Sequence, residues 1–337
     1  MGKTTGALLK YTAAFMAALL LTAAPQKASA WPDGPNGTLS FVIENDIFYS
    51  DQYYTNGVRA SWTTAADKRP EWALNAARLF PFFPDNASVR TNYAIGQNMY
   101  TPKETEMKNP PSDDHPYAGW LYGSVGLIAE NGRQLDQIEF TLGVVGPASL
   151  AEQTQKFVHK VRGIDIPQGW DAQLKNEPGF ILTYQRSWRS YVSESFLGVP
   201  FDITPHAGGA LGNVFTYANT GITLRYGEGL PVDYGPPRIQ PSLPGSGFFI
   251  PQKHLSWYLF AGIEGRYVAR NIFLDGNSFT DSRSVDKERF VGDLQMGVVV
   301  SKGNVRLAYT KVLRTREFKT QPADRQDFGA LSVSVQF

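Results

Sequence analysis

The sequence predicts an all-β fold, a twelve-stranded antiparallel transmembrane β-barrel with a short helix in an extracellular loop. Three observations carry that expectation: a secretory leader at the start, period-2 hydrophobic alternation along the rest of the chain, and alternation that runs to the last residue.

In the leader, Lys3 and Lys10 precede an uncharged apolar run from Ala13 to Ala24, and Ala28-Ser29-Ala30 follows it. This pattern reads as a signal peptide over residues 1–30, because the run is shorter than the roughly 20 apolar residues of a membrane helix and ends in an A-x-A site. Residues 31–337 are then the outer-membrane barrel. At the other end Leu331, Val333, Val335 and Phe337 alternate with Ser332, Ser334 and Gln336. A terminal aromatic on the apolar face is what the closing strand of a bacterial outer-membrane barrel presents.

Composition agrees. Aromatic residues make up 13% of the 337 residues, glycines number 32, and mean hydropathy is slightly negative. Strands that show lipid on one face and lumen on the other average to middling hydropathy, with aromatics gathered at the two interfaces. After residue 30 no stretch is apolar enough for a membrane helix. There is no cysteine, which excludes disulfides and a thiolate nucleophile. With 32 basic against 31 acidic residues and no basic block, nucleic acid is excluded as a partner.

Period-2 segments bounded by Gly, Pro, Asn or Asp fall at 38–48, 54–64, 91–100, 119–129, 135–145, 178–188, 201–211, 217–226, 255–268, 289–301, 303–314 and 327–337. An even count suits a closed barrel, which leaves no strand edge in lipid. Arg59, Glu139, Glu264 and Arg306 lie on the polar faces and are read as structural charges of a narrow lumen. With a periplasmic N-terminus, the connections at 49–53, 101–118, 146–177, 269–288 and 315–326 become outer loops. The turns at Glu130–Arg133 and Ser301–Asn304 are short and periplasmic. Two periplasmic connections are unusually long: 65–90, with a short helix near Glu71–Leu79, and 227–254. Each reads equally as a plug, a partner site or a misplaced strand.

The residues capable of chemistry gather in the outer loops. Glu44, Asn45 and Asp46 are consecutive at the outer end of the first strand, Asp51 follows, and the return through Tyr53-Tyr54-Thr55-Asn56-Gly57 brings Thr55 near Asn45 and Asp46. Such a density of oxygen atoms suits a hard cation such as calcium, which takes about six to eight oxygen ligands. The same residues are ordinary turn formers, and the spacing is not that of an EF-hand. In the 146–177 loop, Ser149 with Glu152 reads as a capping box, and Leu150, Thr154, Phe157, Val158 and Val161 recur at helical spacing. Glu152, Gln155 and His159 share the other side of that helix. His159 is thereby held on a rigid element with a side chain suited to general base work near neutral pH, although a single histidine is equally a packing residue.

The ordered set of Glu44-Asn45-Asp46 with Phe48, Tyr54-Thr55-Asn56-Gly57, Tyr100-Thr101-Pro102, His115-Pro116-Tyr117-Ala118-Gly119-Trp120, and Gly146-Pro147 ahead of His159 resembles the lipid A 3′-O-deacylases of Gram-negative outer membranes. The likeness spans nearly the whole of residues 31–337. It implies calcium-dependent hydrolysis of the 3′-linked acyloxyacyl ester of lipid A, with lipopolysaccharide and outer-membrane lipids as partners; a monomer is expected. It also implies a site between the barrel wall and an outer-loop helix. Carried over by position, His159, Asn45 and Thr55 are catalytic, and Asp46 with Asn45 holds the metal. The family's substrate-binding lysine has no unambiguous counterpart: Lys103 and Lys108 both lie in the matching loop, and either or neither takes its place. The alternatives are a non-enzymatic pore or structural barrel, and an outer-membrane phospholipase using Ser149 or Ser61. Gly-x-Ser-x-Gly is absent.

Overall fold

The computed structural model describes residues 36–45, 53–84, 87–228, 230, 233–242 and 244–337. The leader at 1–30 and the segment 46–52, with Asp46, Phe48 and Asp51, lie outside them. The chain runs β1 (Gly37–Asn45), β2 (Tyr53–Thr64), α1 (Glu71–Leu79), β3 (Ser88–Thr101), β4 (Ala118–Glu130), β5 (Gln134–Val145) and α2 (Ala151–Arg162). It continues through β6 (Glu177–Trp188), β7 (Val192–Phe196), β8 (Val199–Gly212), β9 (Phe215–Tyr226) and β10 (Gln252–Asn271). The last elements are α3 (Ile272–Asp275), β11 (Phe290–Gly303), β12 (Val305–Thr315) and β13 (Arg325–Gln336).

The strands form one closed ring. β1 pairs with β2 on one side and β13 on the other, and β6 pairs with β8 from Ile181 opposite Gly212 to Ser187 opposite His206. Short β7 pairs farther along the same β8, from Val192 opposite Ile203 to Phe196 opposite Val199. It therefore prolongs β6 after a break at 189–191, where Ser190 takes a left-handed φ of 49°. The thirteen strand segments form twelve barrel strands, as the sequence predicts. The sequence reading had ended the sixth strand at Trp188. Beyond it, Leu197 and Gly198, both at positive φ, make the two-residue turn that matches strand twist.

The lumen is packed with ion pairs. Arg59 meets Glu139 at 2.6 Å, His206 meets Glu264 at 3.1 Å, and Asp293 is gripped by Arg266 at 2.5 Å and Arg314 at 2.9 Å. The four charges assigned to the lumen from sequence thus have structural partners. Outward positions such as Leu39, Leu142, Leu182, Leu259 and Ile263 are exposed, which period-2 geometry demands of a wall bathed in hydrocarbon.

We call the end carrying the 46–52, 102–117 and 146–176 connections the loop end and the other the turn end. The 227–251 connection turns back into the lumen: Asp233 accepts from Arg225 and from Arg306 at 2.8 Å, while Arg238 reaches Glu44 at 2.7 Å and Gln295 at 2.6 Å. Of the three readings open for this segment, it is a plug. The 65–90 connection instead lies outside the wall, where Ala73 and Ala77 of α1 pack on Val89 and Leu127. At the loop end, α3 drops Phe273 onto Tyr100, with ring centroids 4.1 Å apart, and Trp120, Phe215, Ile272 and Phe328 fill the space around them.

Candidate active site

The first hairpin distributes its oxygens across the wall. Consecutive strand residues point to opposite faces, so the Glu44-Asn45 pair is split. Glu44 is buried in the lumen and accepts from Arg238 Nε at 2.7 Å and the backbone N–H of Ile239. It is therefore no neighbour of Asn45 in chemistry, contrary to the crowding expected from three adjacent polar residues. Asn45 stands directly opposite Asn56 of β2, and Asn56 stands opposite Met99 of β3. Residues in such a cross-strand row share one face. Met99 packs with Ala151 of α2, so this face is the outer one that α2 covers.

Thr55 sits where the β2–β3 register slips between Tyr54 and Asn56, a bulge that re-aims a side chain. Tyr53 precedes it at φ 70°, a conformation costly for a non-glycine residue. Asn45 Nδ2 donates to the Thr55 carbonyl at 3.0 Å, and the Thr55 and Thr101 hydroxyls share a hydrogen bond of 2.7 Å. Sequence pairing of Thr55 with Asn45 is thus borne out by contact. In sequence Thr101 is one residue of the Tyr100-Thr101-Pro102 motif, and its role as the hydroxyl partner follows from the bulge.

Helix α2 begins where Gly146, at φ 99°, donates its N–H to the Gly119 carbonyl and starts a single 3₁₀ turn, Pro147–Ser149. Leu150 takes a left-handed conformation as N-cap, with no side-chain cap bond. The expected capping box is absent: Ser149 is buried against Gly119 with an unpartnered Oγ, and Glu152 pairs with Lys156 at 2.5 Å. A Cβ on Gly119 would run into Ser149 and Ala151, so the missing side chain is what lets the helix lie on the wall.

The face of α2 that turns to the barrel is its polar one. Ala151, Gln155 and His159 are buried, while Leu150, Phe157, Val158 and Val161 are exposed. A helix on the lipid side of a barrel inverts the usual arrangement, because its surroundings are apolar and its contact surface is a row of polar side chains. Gln155 Oε1 accepts from Trp170 Nε1 at 2.7 Å, which ties the returning chain to the helix. His159, 5% exposed, directs Nδ1 at the Asp165 carbonyl 2.5 Å away. A carbonyl only accepts, so Nδ1 carries a proton, and the neutral ring has its lone pair on Nε2. Gly163, left-handed at φ 66°, ends the helix and turns the chain so that Asp165 arrives there.

The sequence matches the family model described as outer membrane protein LpxR over residues 14–337. The chain belongs to that family. The resemblance read from its motifs is therefore borne out. Among solved structures, LpxR from Salmonella typhimurium shares 19% identity at a TM-score of 0.72, over 89% of this chain and 100% of that one. Such a likeness supports the barrel fold. The β domain of the Bordetella autotransporter BrkA shares 8% identity at a TM-score of 0.43, over 90% of this chain and 100% of that one. A search of curated proteins found no match.

In this member of the LpxR family the two lysines stand apart from the hairpin's contacts. Lys103 and Lys108 are both exposed in the 102–117 loop, and neither side chain has a hydrogen bond or ion pair among the described residues. Only the backbone of Lys103 is fixed, by Asp114 at 2.8 Å. His115 lies on the other side of the wall, buried and stacked on Tyr100 at 5.6 Å. No group of three or more His, Asp or Glu placed to hold a metal ion occurs among the described residues. The donors the outer face offers are the oxygens of Asn45, Thr55 and Asn56, with Asp46 next in sequence. That hard, oxygen-only set fits calcium in type and does not fit a thiolate-seeking metal.

Proposed function

We propose that the protein is an outer-membrane lipid A deacylase, a calcium-dependent carboxylic ester hydrolase that removes the 3′-linked acyloxyacyl chain, with its loop end facing outward. One observation carries the reading: a histidine whose tautomer is fixed by a backbone carbonyl is buried in a polar seam between α2 and the lipid-facing wall. A polar seam on that side of a barrel meets lipid, and its chemistry suits an ester at the level of the lipid headgroup.

In the mechanism His159 Nε2 takes a proton from water as the oxygen attacks the ester carbonyl. The tetrahedral centre then expels the sugar 3′ oxygen, which takes the proton back from His159. The products are the acyloxyacyl acid, its secondary ester intact, and a 3′-hydroxyl. The Asp165 carbonyl holds the ring and favours the imidazolium while it lasts. Asn45 and Thr55 orient the ester and donate toward the oxygen that gains charge. Asp46, with Asn45, would hold calcium, whose charge polarises the carbonyl when bound. Lys103 or Lys108, unengaged on the loop above, would take a substrate phosphate.

Two other readings, the pore and the serine phospholipase, lose their support. A pore requires an open lumen, which the plug and its ion pairs occupy. A serine phospholipase requires a serine beside the histidine. Ser61, however, lines the lumen, and Ser149 packs under the first residue of α2 against Gly119.

Mass spectrometry of lipid A from cells expressing the wild type or His159→Ala, with and without calcium, tests the proposal. Loss of one 3′ acyloxyacyl unit only with His159 and calcium is expected. Unchanged lipid A in every sample overturns it, and fatty acid released from phospholipid would favour the phospholipase.

A further inference from the structure

On the opposite side of the ring of strands from α2, the outer wall carries a groove of about 780 Å³ at the loop end of β9–β12. Its floor is a place where the wall lacks side chains. Gly265 of β10 pairs with Gly292 of β11, a Cβ on Gly265 would meet nothing within 4 Å, and Ala218 lies on the neighbouring β9. The sides are aromatic: Tyr267 and Phe290 are both exposed, with ring centroids 5.4 Å apart. Above it sits a charged rim, where Arg316 pairs with Glu288 at 3.1 Å. Below it, Ile263 and Leu294 continue the exposed apolar belt two residues down each strand.

We propose that this groove binds one acyl chain of an outer-leaflet lipopolysaccharide, as a docking site separate from the seam under α2. The order of charged rim, aromatic pair, open floor and aliphatic belt matches an amphiphile standing in a leaflet, headgroup toward the loop end. The volume is that of an ordinary lipid or drug-sized site. The surrounding solvent of an outer-membrane wall is lipid, so a dent in it is filled by acyl chain. The choice of lipopolysaccharide over phospholipid rests on the outward-facing loop end proposed above. That places the groove in the same leaflet as the ester the enzyme would cleave.

The test uses the full chain in native outer membranes, with Phe290 replaced by p-benzoylphenylalanine and the adduct formed on illumination weighed by mass spectrometry. A lipid A-bearing adduct is expected. It should fall by about tenfold in the Gly265→Leu/Gly292→Leu double variant, equivalent to losing contact with roughly two methylenes. Open space at Gly265 and ordinary contact at Gly292 let both side chains be added without disturbing the strands. Heat-modifiable gel mobility checks that the variant is folded. An adduct with phospholipid, or one undiminished by the filled groove, overturns the proposal. Lipid A deacylation measured on the same cells separates the two ideas: adduct without deacylation leaves the groove standing and removes the enzyme reading. Deacylation with a phospholipid adduct does the reverse.

Discussion

His159 and Asp165 face each other across the turn that ends α2, with imidazole Nδ1 2.5 Å from the backbone carbonyl. The carbonyl can only accept, so in the neutral ring Nε2 is the nitrogen left to act as base in the proposed mechanism, and the bond uses no second side chain. His159→Ala is expected to lower lipid A deacylation by about 10²–10⁴, the usual contribution of a positioned base. Because the ring is held at a surface seam rather than in the barrel wall, gel mobility of the variant should match that of the wild type.

Thr55 and Thr101 form a hydroxyl pair that separates stability from activity. Thr55→Val leaves a buried Thr101 hydroxyl without its partner and is expected to cost about 1–3 kcal/mol, whereas the Thr55→Val/Thr101→Val pair should be close to neutral. Urea unfolding into lipid vesicles measures this. If Thr55 also orients the ester, the double variant stays inactive despite its recovered stability. Recovery of both together would reduce Thr55 to a structural role.

Gly119→Leu tests the seat of α2. The added side chain meets Ser149 and Ala151 and must push the helix from the wall, while the strand hydrogen bonds of β4 stay in place. A displacement of about 1 Å at a catalytic group costs on the order of 100-fold in rate. Deacylation should therefore fall by that order with the barrel still folded.

Removing the Asp233 carboxylate leaves Arg306 buried without a carboxylate partner, while Arg225 keeps its pair with Asp202. Breaking such a pair on one side costs about 3–5 kcal/mol, and the plug is the part able to move. Asp233→Ala is expected to raise ion conductance in planar bilayers. Deacylation should persist, because the seam under α2 lies outside the lumen.

His115 predicts a pH dependence. Burial is the largest influence on it and lowers its pKa from 6.5 to about 4, against opposing pulls from the Pro116 carbonyl and Asp114. Between those pH values the unfolded chain binds a proton that the folded one does not, so stability rises with pH across the window. The contribution is whole above about pH 6.5 and is lost as pH falls toward 4, by an amount on the order of 3 kcal/mol. His115→Phe should flatten unfolding free energy between pH 4 and 6.5. An unchanged slope would place the titrating group elsewhere.

Much of this molecule was legible in its sequence because the two faces of a barrel strand meet different solvents, and the alternation of Ile138, Phe140 and Leu142 with Gln137, Glu139 and Thr141 records that directly. The break at 189–191 was not legible, since β7 owes its place to pairing with β8. Nor was the plug, whose Asp233 and Arg238 find partners on distant strands. For α2 the helical period was legible and the direction of its faces was not. An apolar stripe of Leu150, Phe157, Val158 and Val161 ordinarily turns inward, and only the wall beneath the helix reverses it.

The sequence by itself determined the barrel, its twelve strands and the family, because strand period and ordered motifs are local properties of the chain. Tertiary structure alone decided that Glu44 faces the lumen while Asn45 faces outward, that Thr55 bonds Thr101, and that Asp165 holds the His159 ring. Each of these depends on register, a bulge or a turn that brings together residues the chain keeps apart. A shift of one residue in register would exchange the two faces and undo these contacts.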